Sequence, residues 1–206
     1  MDRIRAIETN RFNAKIRFDD GSMLTVRKKD VERHCLSADM DVDAEALKQR
    51  ICASQFPDGY EAALDILDRS ARTKQEIRKK LLFKGYLSEV ADAVCEKLVE
   101  SRLIDDNYIA ERIVSSMTSS GRGRYAVAQK LRARGIEKED SEAALESISD
   151  EEQASSARSL ALKLMKKYSS LDKRQRKQKL SQALARRGFS WDSIESALSV
   201  LEEDEE

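Results

Sequence analysis

The chain has 206 residues, 37% of them charged, 40% hydrophobic and only 5% aromatic, with one proline. That profile suits amphipathic helices in thin layers rather than one thick core. Lys plus Arg and Asp plus Glu both number 38, so net charge selects no partner class and only the distribution of charge can.

In chain order, Arg3–Ile7 reads as a short strand. Ala14–Phe18 and Ser22–Val26 flank Asp19-Asp20-Gly21 as a hairpin. A three-residue loop with Gly21 left-handed pairs Ile16 with Leu24 and Ala14 with Val26, which gathers apolar residues on one face. Two strands alone are marginal, so Arg3–Glu8 and a following helix are expected to cover them. Val31–Leu36 reads as one or two helical turns. Asp43 caps a helix through Ile51, with Ala44, Leu47 and Ile51 on one face. Gln55–Gly59, which holds the only proline, is the strongest break in the chain.

Tyr60, Leu64 and Leu67 then open a helical region. Thr73 with Glu76 makes a capping box, and Ile77 and Leu81 share a face. Gly85 closes that helix in the left-handed conformation, and Ser88 is placed to cap the next, which carries Val90, Val94 and Leu98 and ends near Ser101. Asp105 opens a helix with Ile109, Ile113 and Met117, and Thr118–Gly123 is expected to be the most flexible internal loop. Asp150 opens the helix bearing Ala157, Leu160, Leu164 and Tyr168. Trp191, Ile194, Leu198 and Leu201 form the last helix, before a frayed acidic tail, Glu202–Glu206.

One pattern is written three times. Aligned on Gly85, Gly135 and Gly188, the chain has Leu81, Leu131 or Leu184 four residues before. Ile77, Val127 or Leu180 stands eight before, and Tyr86, Ile136 or Phe189 one after. Leu98, Ile148 or Leu201 stands thirteen after. Self-similarity at a fixed period marks stacked supersecondary units. The fold expected is mainly α: tandem three-helix repeats in an elongated array, behind a small N-terminal β-hairpin module. The divisions are 1–56, 57–104, 105–149 and 150–206.

The segments Arg72–Tyr86 (RTKQEIRKKLLFKGY), Leu103–Ala110 (LIDDNYIA) and Gly121–Ile136 (GRGRYAVAQKLRARGI) together resemble the RecX regulators of bacterial recombination. Arg3–Glu8 and Lys15–Val26 are similar to an N-terminal extension that many members carry. Asn107-Tyr108, where acid–Phe is commoner, and the polar helix start at Asp150 depart from the family pattern. The resemblance implies binding in the groove of the RecA nucleoprotein filament, with restraint of its ATP hydrolysis and strand exchange.

No catalytic constellation is found. His34, the only histidine, has no nucleophile or carboxylate set converging on it. Gly121-Arg-Gly-Arg124 lacks the ending of a phosphate loop, and Asp105-Asp106 reads as a helix start rather than a metal site. Cys35, Cys52 and Cys95 show no Cys-x-x-Cys spacing and read as reduced thiols. No apolar run is long enough to span a bilayer, and the opening residues carry no secretory pattern. A cytoplasmic, monomeric non-enzyme without cofactor or metal is expected.

Charge segregation is more informative. The helices that end at the three glycines are basic, and the segments after them are acidic. Candidate contact residues are Arg72, Lys74, Arg78, Lys79, Lys80 and Lys84, then Arg122, Arg124, Lys130, Arg132 and Arg134, then Arg174, Lys177, Arg186 and Arg187. Three basic runs in register suggest one positive ridge. The partners expected are the RecA filament and single- or double-stranded DNA. The alternative is a free-standing DNA-binding helical-repeat protein.

Overall fold

Alternating apolar residues build the start of the chain. In the computed structural model, which describes residues 1–203 and side chains through residue 200, β1 (Asp2–Thr9), β2 (Asn13–Phe18) and β3 (Met23–Arg27) are antiparallel. β4 (Asp41–Val42) completes the sheet in the order β3-β2-β1-β4. Ala14, Ile16 and Phe18 are buried while Lys15 and Arg17 face solvent, the period of two. Ala14 pairs with Val26 and Ile16 with Leu24, and Gly21 has φ +85°, as the three-residue loop requires. β4 pairs only with Asp2 and Arg3, and two residues carry no alternation to read.

α1 (Lys28–Arg33) starts three residues earlier than its apolar pattern suggests, because the buried Asp30 carboxylate accepts from the Arg27 backbone N–H at 2.9 Å. α2 (Ala44–Arg69) starts at Asp43, whose side chain accepts from the Ala46 N–H. The break expected at Gln55–Gly59 does not occur: α2 is one 26-residue helix containing Pro57. Proline removes one helical hydrogen bond. Here packing outweighs that loss, since Leu47, Ile51, Gln55, Gly59 and Ala63 form a continuous buried stripe. Arg33 also donates to the Ser54 carbonyl at 2.8 Å, in the turn before the proline. Ala63, not Leu64, is the buried member of this stripe.

α3 (Lys74–Phe83) has the expected Thr73–Glu76 capping box, and α4 (Ser88–Glu100) follows the Gly85 turn. The N-cap of α4 is Leu87 rather than Ser88. The Leu87 N–H donates to the buried Gln55 side chain at 2.9 Å, which leaves the Ser88 hydroxyl to bond Glu89. Lys48 on α2 pairs with Glu89 on α4 and holds the Glu89 carboxyl down at about 2. A depressed carboxylate stabilises the fold above its unfolded pKa, near 4.5, and that contribution disappears as pH falls toward 2. Glu89→Gln should therefore lower stability at pH 7 by no more than about 1 kcal/mol, because the pair is solvent-screened. The difference from the parent should narrow below pH 4.5 and close as pH falls to about 2, in acid titrations of the melting temperature.

Residues 1–105 form one compact unit and the chain from residue 106 a second. The second contains α5 (Asp106–Ser119), α6 (Arg124–Arg134), α7 (Lys138–Glu146), α8 (Asp150–Lys167), α9 (Lys173–Arg186) and α10 (Trp191–Glu203). The helices α5–α7 close over Ile109, Val114, Val127, Leu131 and Ile136. The helices α8–α10 close over Ala157, Ala161, Leu180, Leu184 and Phe189. The fold is thus three three-helix domains in tandem behind a small antiparallel strand module. Ser149, not Asp150, caps α8, with Glu152 completing the box. Trp191 is 68% exposed and leaves the core to Ile194, Ala197 and Leu198. The side chains of Leu201 and of the Glu202–Glu206 tail lie outside the described residues.

The three glycine turns have one geometry. Gly85, Gly135 and Gly188 have φ of +84°, +72° and +86°. Each glycine N–H donates to the residue three before it, Leu82, Arg132 or Ala185, at 2.9 Å. The next N–H, of Tyr86, Ile136 or Phe189, reaches back to Leu81, Leu131 or Leu184. These bonds satisfy the last carbonyls of each helix, so the spacing of the repeat is the spacing of a helix-closing device.

The Thr118–Gly123 segment departs from its expectation as a flexible loop. Thr118 and Ser119 belong to α5, and Gly123 is buried. The Gly123 N–H donates to the Arg187 carbonyl and the Tyr125 N–H to the Gly188 carbonyl, each at 3.0 Å. The start of α6 is therefore hydrogen-bonded to the α9–α10 turn.

Candidate partner-binding surface

The basic residues of α3, α6 and α9 fall into two groups, because a cation near a helix C-terminus has two uses. It offsets the negative end of the helix dipole, and it offers charge to a partner. Neighbouring contacts tell which residues are already engaged. On α3, Arg78 grips Asp92 of α4 with two nitrogens, at 2.5 and 3.2 Å, which raises its pKa. Arg72 approaches Glu76 at 3.9 Å, and Lys74 also has an interaction within the fold. On α6, Arg124 donates from its side chain to the Ile148 carbonyl and approaches Asp150 at 3.7 Å. Its backbone N–H donates to the buried Gln153 at 2.8 Å. Arg134 and Arg187 are half-buried. Arg78 and Arg124 thereby tie their helices to the next element of the fold.

The other group faces solvent: Lys79, Lys80 and Lys84 on α3, Arg122, Lys130 and Arg132 at α6, and Arg174, Lys177 and Arg186 on α9. Lys177 has an interaction within the fold as well. The basic helices α6 and α9 lie in the second unit and α3 in the first. The acidic helix α4 is partly neutralised at home, by Lys48–Glu89, Arg78–Asp92 and Lys97–Glu100. On α7, Glu137 and Glu139 are exposed and Glu142 pairs with Lys138 at 3.6 Å.

The start of α6 is not an anion site despite its arginines. Its first N–H groups already donate to Gln153 and to the Gly188 and Gly123 carbonyls. Beside it lies a cleft of about 510 Å³ lined in part by Tyr125, Asp150, Glu151 and Asp192. Those three carboxylates stand in the first turns of α8 and α10, where the helix dipole favours them.

Chemistry-bearing residues behave as structure. The His34 Nε2 lies 2.9 Å from the Ser54 hydroxyl, and burial, followed by the charge of Arg50, lowers its pKa. Cys95 is buried, Cys52 half-buried and Cys35 exposed, all as thiols. Among the described residues no cluster of three or more His, Cys, Asp or Glu could hold a metal, and no helix is long and apolar enough to cross a membrane.

Charge reasoning missed the exposed aromatic rings. Phe83 is 92% exposed among the α3 lysines, and Phe12, Tyr125 and Trp191 are each more than half exposed. Phe83 carries a readable signal, since it lies off the Ile77–Leu81 stripe that marks the buried face of α3.

The helical units and their order match known proteins. Residues 60–98, 105–145 and 150–198 match the family models for the first, second and third three-helix domains of RecX. A regulatory protein RecX of Levilactobacillus brevis is 32% identical over 168 residues, covering 81% of this chain and 63% of that protein. One of Geobacillus is 30% identical over 198 residues, covering 95% of this chain and 73% of that protein. The chain spans 55–63% of the length of the first three of these relatives. A crystal structure of regulatory protein RecX superposes with a TM-score of 0.66 at 29% identity, covering 97% of this chain and all of that one. That of RecX from Lactobacillus salivarius gives 0.68 at 30% identity, covering 73% of this chain and 98% of that one. The glycine-closed helices, the three tandem domains and this similarity along nearly the whole chain agree: the chain belongs to the RecX family of regulatory proteins.

Proposed function

We propose that this protein binds the RecA–DNA filament along its groove and restrains ATP hydrolysis and strand exchange, acting in the cytoplasm as a regulator and not as an enzyme. The observation that supports this reading most is that each basic helix keeps cations in solvent after its structural arginines are used: Lys79, Lys80 and Lys84, then Lys130 and Arg132, then Arg174 and Arg186. A partner with a repeating anionic surface would meet such a repeated arrangement several times over. Gln129 and Gln182, both exposed six residues before their glycines, favour a second reading as a DNA-binding protein, since glutamine can read adenine edges.

The test pairs two charge-reversed variants. Lys130→Glu with Arg132→Glu changes exposed residues and should leave the stability within the range of ordinary surface substitutions, about 0.5 kcal/mol. It should weaken filament binding by about tenfold or more, and wild-type binding should fall as salt rises. Glu139→Lys with Glu142→Lys should bind at least as well as the parent. Equal loss by both, or binding indifferent to salt, would overturn the reading.

A further inference from the structure

The turn at Gly85 is shared by two modules. A Cβ on Gly85 would lie 2.3 Å from the Asn13 Oδ1 and 3.2 Å from the Arg27 Cγ, so the start of β2 and the end of β3 press directly on this turn. The Arg27 guanidinium then stacks over the Tyr86 ring at 4.1 Å. The side chains next to this seam face solvent. Phe12, next to Asn13, is 68% exposed, and its carbonyl accepts from the Lys28 N–H at 2.8 Å. Phe83, two residues before Gly85, is 92% exposed. Arg11, Lys28, Lys80 and Lys84 beside them are exposed too, and the Arg11 guanidinium lies 5.2 Å from the Phe12 ring centroid.

A lone exposed apolar side chain is ordinary. Two rings at one seam, framed by four cations, are not. Residues 10–13 and 77–87 contain no acid, and the acids just outside them are engaged. Asp30 is buried, Asp58 pairs with Arg27, Lys29 and Arg33, and Glu89 pairs with Lys48. The repeat does not require the ring either. The positions equivalent to Phe83 are Ala133 and Arg186, whereas the core positions keep their apolar character in all three copies.

We infer that this aromatic–basic seam between the N-terminal strand module and the first three-helix domain binds single-stranded nucleic acid, with bases stacked on Phe12 and Phe83 and phosphates met by Arg11, Lys28, Lys80 and Lys84. Flat rings offer any base a π-face, and flanking cations follow the backbone, the combination that holds single strands without reading sequence. A protein partner would want contiguous apolar area, and here the rings are islands in positive charge. The strand module thereby gains a function of its own, since it supplies half of the site. The seam shares Lys80 and Lys84 with the filament-binding proposal and deepens it, so the two are assayed apart.

The experiment measures binding of a fluorescent oligothymidylate, and separately of the RecA–DNA filament, by the full chain. Phe12→Ala with Phe83→Ala should leave the melting temperature unchanged, because both rings are exposed. It should weaken oligothymidylate binding by about tenfold or more, the loss expected for stacked bases. Phe12→Leu with Phe83→Leu keeps apolar area without a π-face and should lose binding similarly. Lys28→Gln with Lys84→Gln should reduce the steepness of the salt dependence. Full oligothymidylate binding by both ring variants overturns the seam whatever the filament does. Full retention by the leucine variant and loss by the alanine variant also overturns it, pointing to an apolar protein contact. Loss of filament binding by the α6 charge variant alone bears on the filament reading and leaves the seam to its own assay.

Discussion

Gly123→Ala should be more damaging than Gly121→Ala, although backbone conformation alone predicts the reverse. Gly121 has φ +70°, where an alanine is strained, but a Cβ there meets nothing within 4 Å. Its replacement should cost about 1 kcal/mol. Gly123 has φ −79° and ψ 162°, comfortable for any residue, and by chain entropy alone an alanine there would stabilise. Packing forbids it. A Cβ on Gly123 would fall 2.2 Å from the Gly188 carbonyl oxygen and 2.3 Å from the Phe189 nitrogen, all backbone with nowhere to retreat. Gly188 is the complementary half, since its own Cβ would strike the Ala126 nitrogen at 2.3 Å. Inserting the methyl must separate α6 from the α9–α10 turn and break the Gly123–Arg187 and Tyr125–Gly188 hydrogen bonds. Overpacking typically costs about 1–3 kcal/mol and each of the two lost bonds about 1 kcal/mol more, so a total of about 3–5 kcal/mol is expected. Denaturant titration of both variants reads the order directly. Equal midpoints would show that the second and third domains do not depend on this contact.

The same contrast explains what was legible beforehand. Helix-closing glycines announce themselves locally, through the leucine four residues before and the apolar residue after, because the hydrogen bonds that need them are local. The Gly21 loop is readable for the same reason: only one register puts Ile16 opposite Leu24. Gly123 answers to a neighbour 65 positions away, and nothing in Gly121-Arg-Gly-Arg124 names it. Pro57 misled for a related reason. Its cost is local, while the stripe and the bonds that outweigh it come from Arg33, Tyr86 and Leu87. Charge runs identified the basic helices but not their division of labour. Arg78 and Lys79 are adjacent letters, and only the position of Asp92 makes one a brace and leaves the other in solvent.

Asp30→Ala should be the most destabilising single change in the first unit outside its apolar core. Asp30 is fully buried, and its Oδ2 accepts from the Arg27 backbone N–H at 2.9 Å and from the Gln55 side-chain amide at 2.6 Å. Gln55, also fully buried, passes the connection on by accepting from the Leu87 N–H that begins α4. One carboxylate thus fixes α1, α2 and α4 together, and its neighbour Arg27 binds Asp58 at 2.8 Å while stacking on Tyr86. Removing it leaves two buried donors without their acceptor, each worth about 1–3 kcal/mol, so a loss of about 3 kcal/mol is expected. Asp30→Asn should recover most of it. Both donors meet the same oxygen, Oδ2, and an asparagine amide oxygen in that place has two lone pairs to accept them, so what Asp30→Asn loses is the negative charge beside the Arg27 side chain. Hydrogen exchange separates this from a general loosening: the Leu87 amide should lose protection in Asp30→Ala and largely keep it in Asp30→Asn, while amides of α8–α10, in the other unit, keep theirs in both. Unchanged protection at Leu87 would mean that Gln55 holds its position without Asp30, and that the apolar stripe of α2 alone orients the strand module on the first domain.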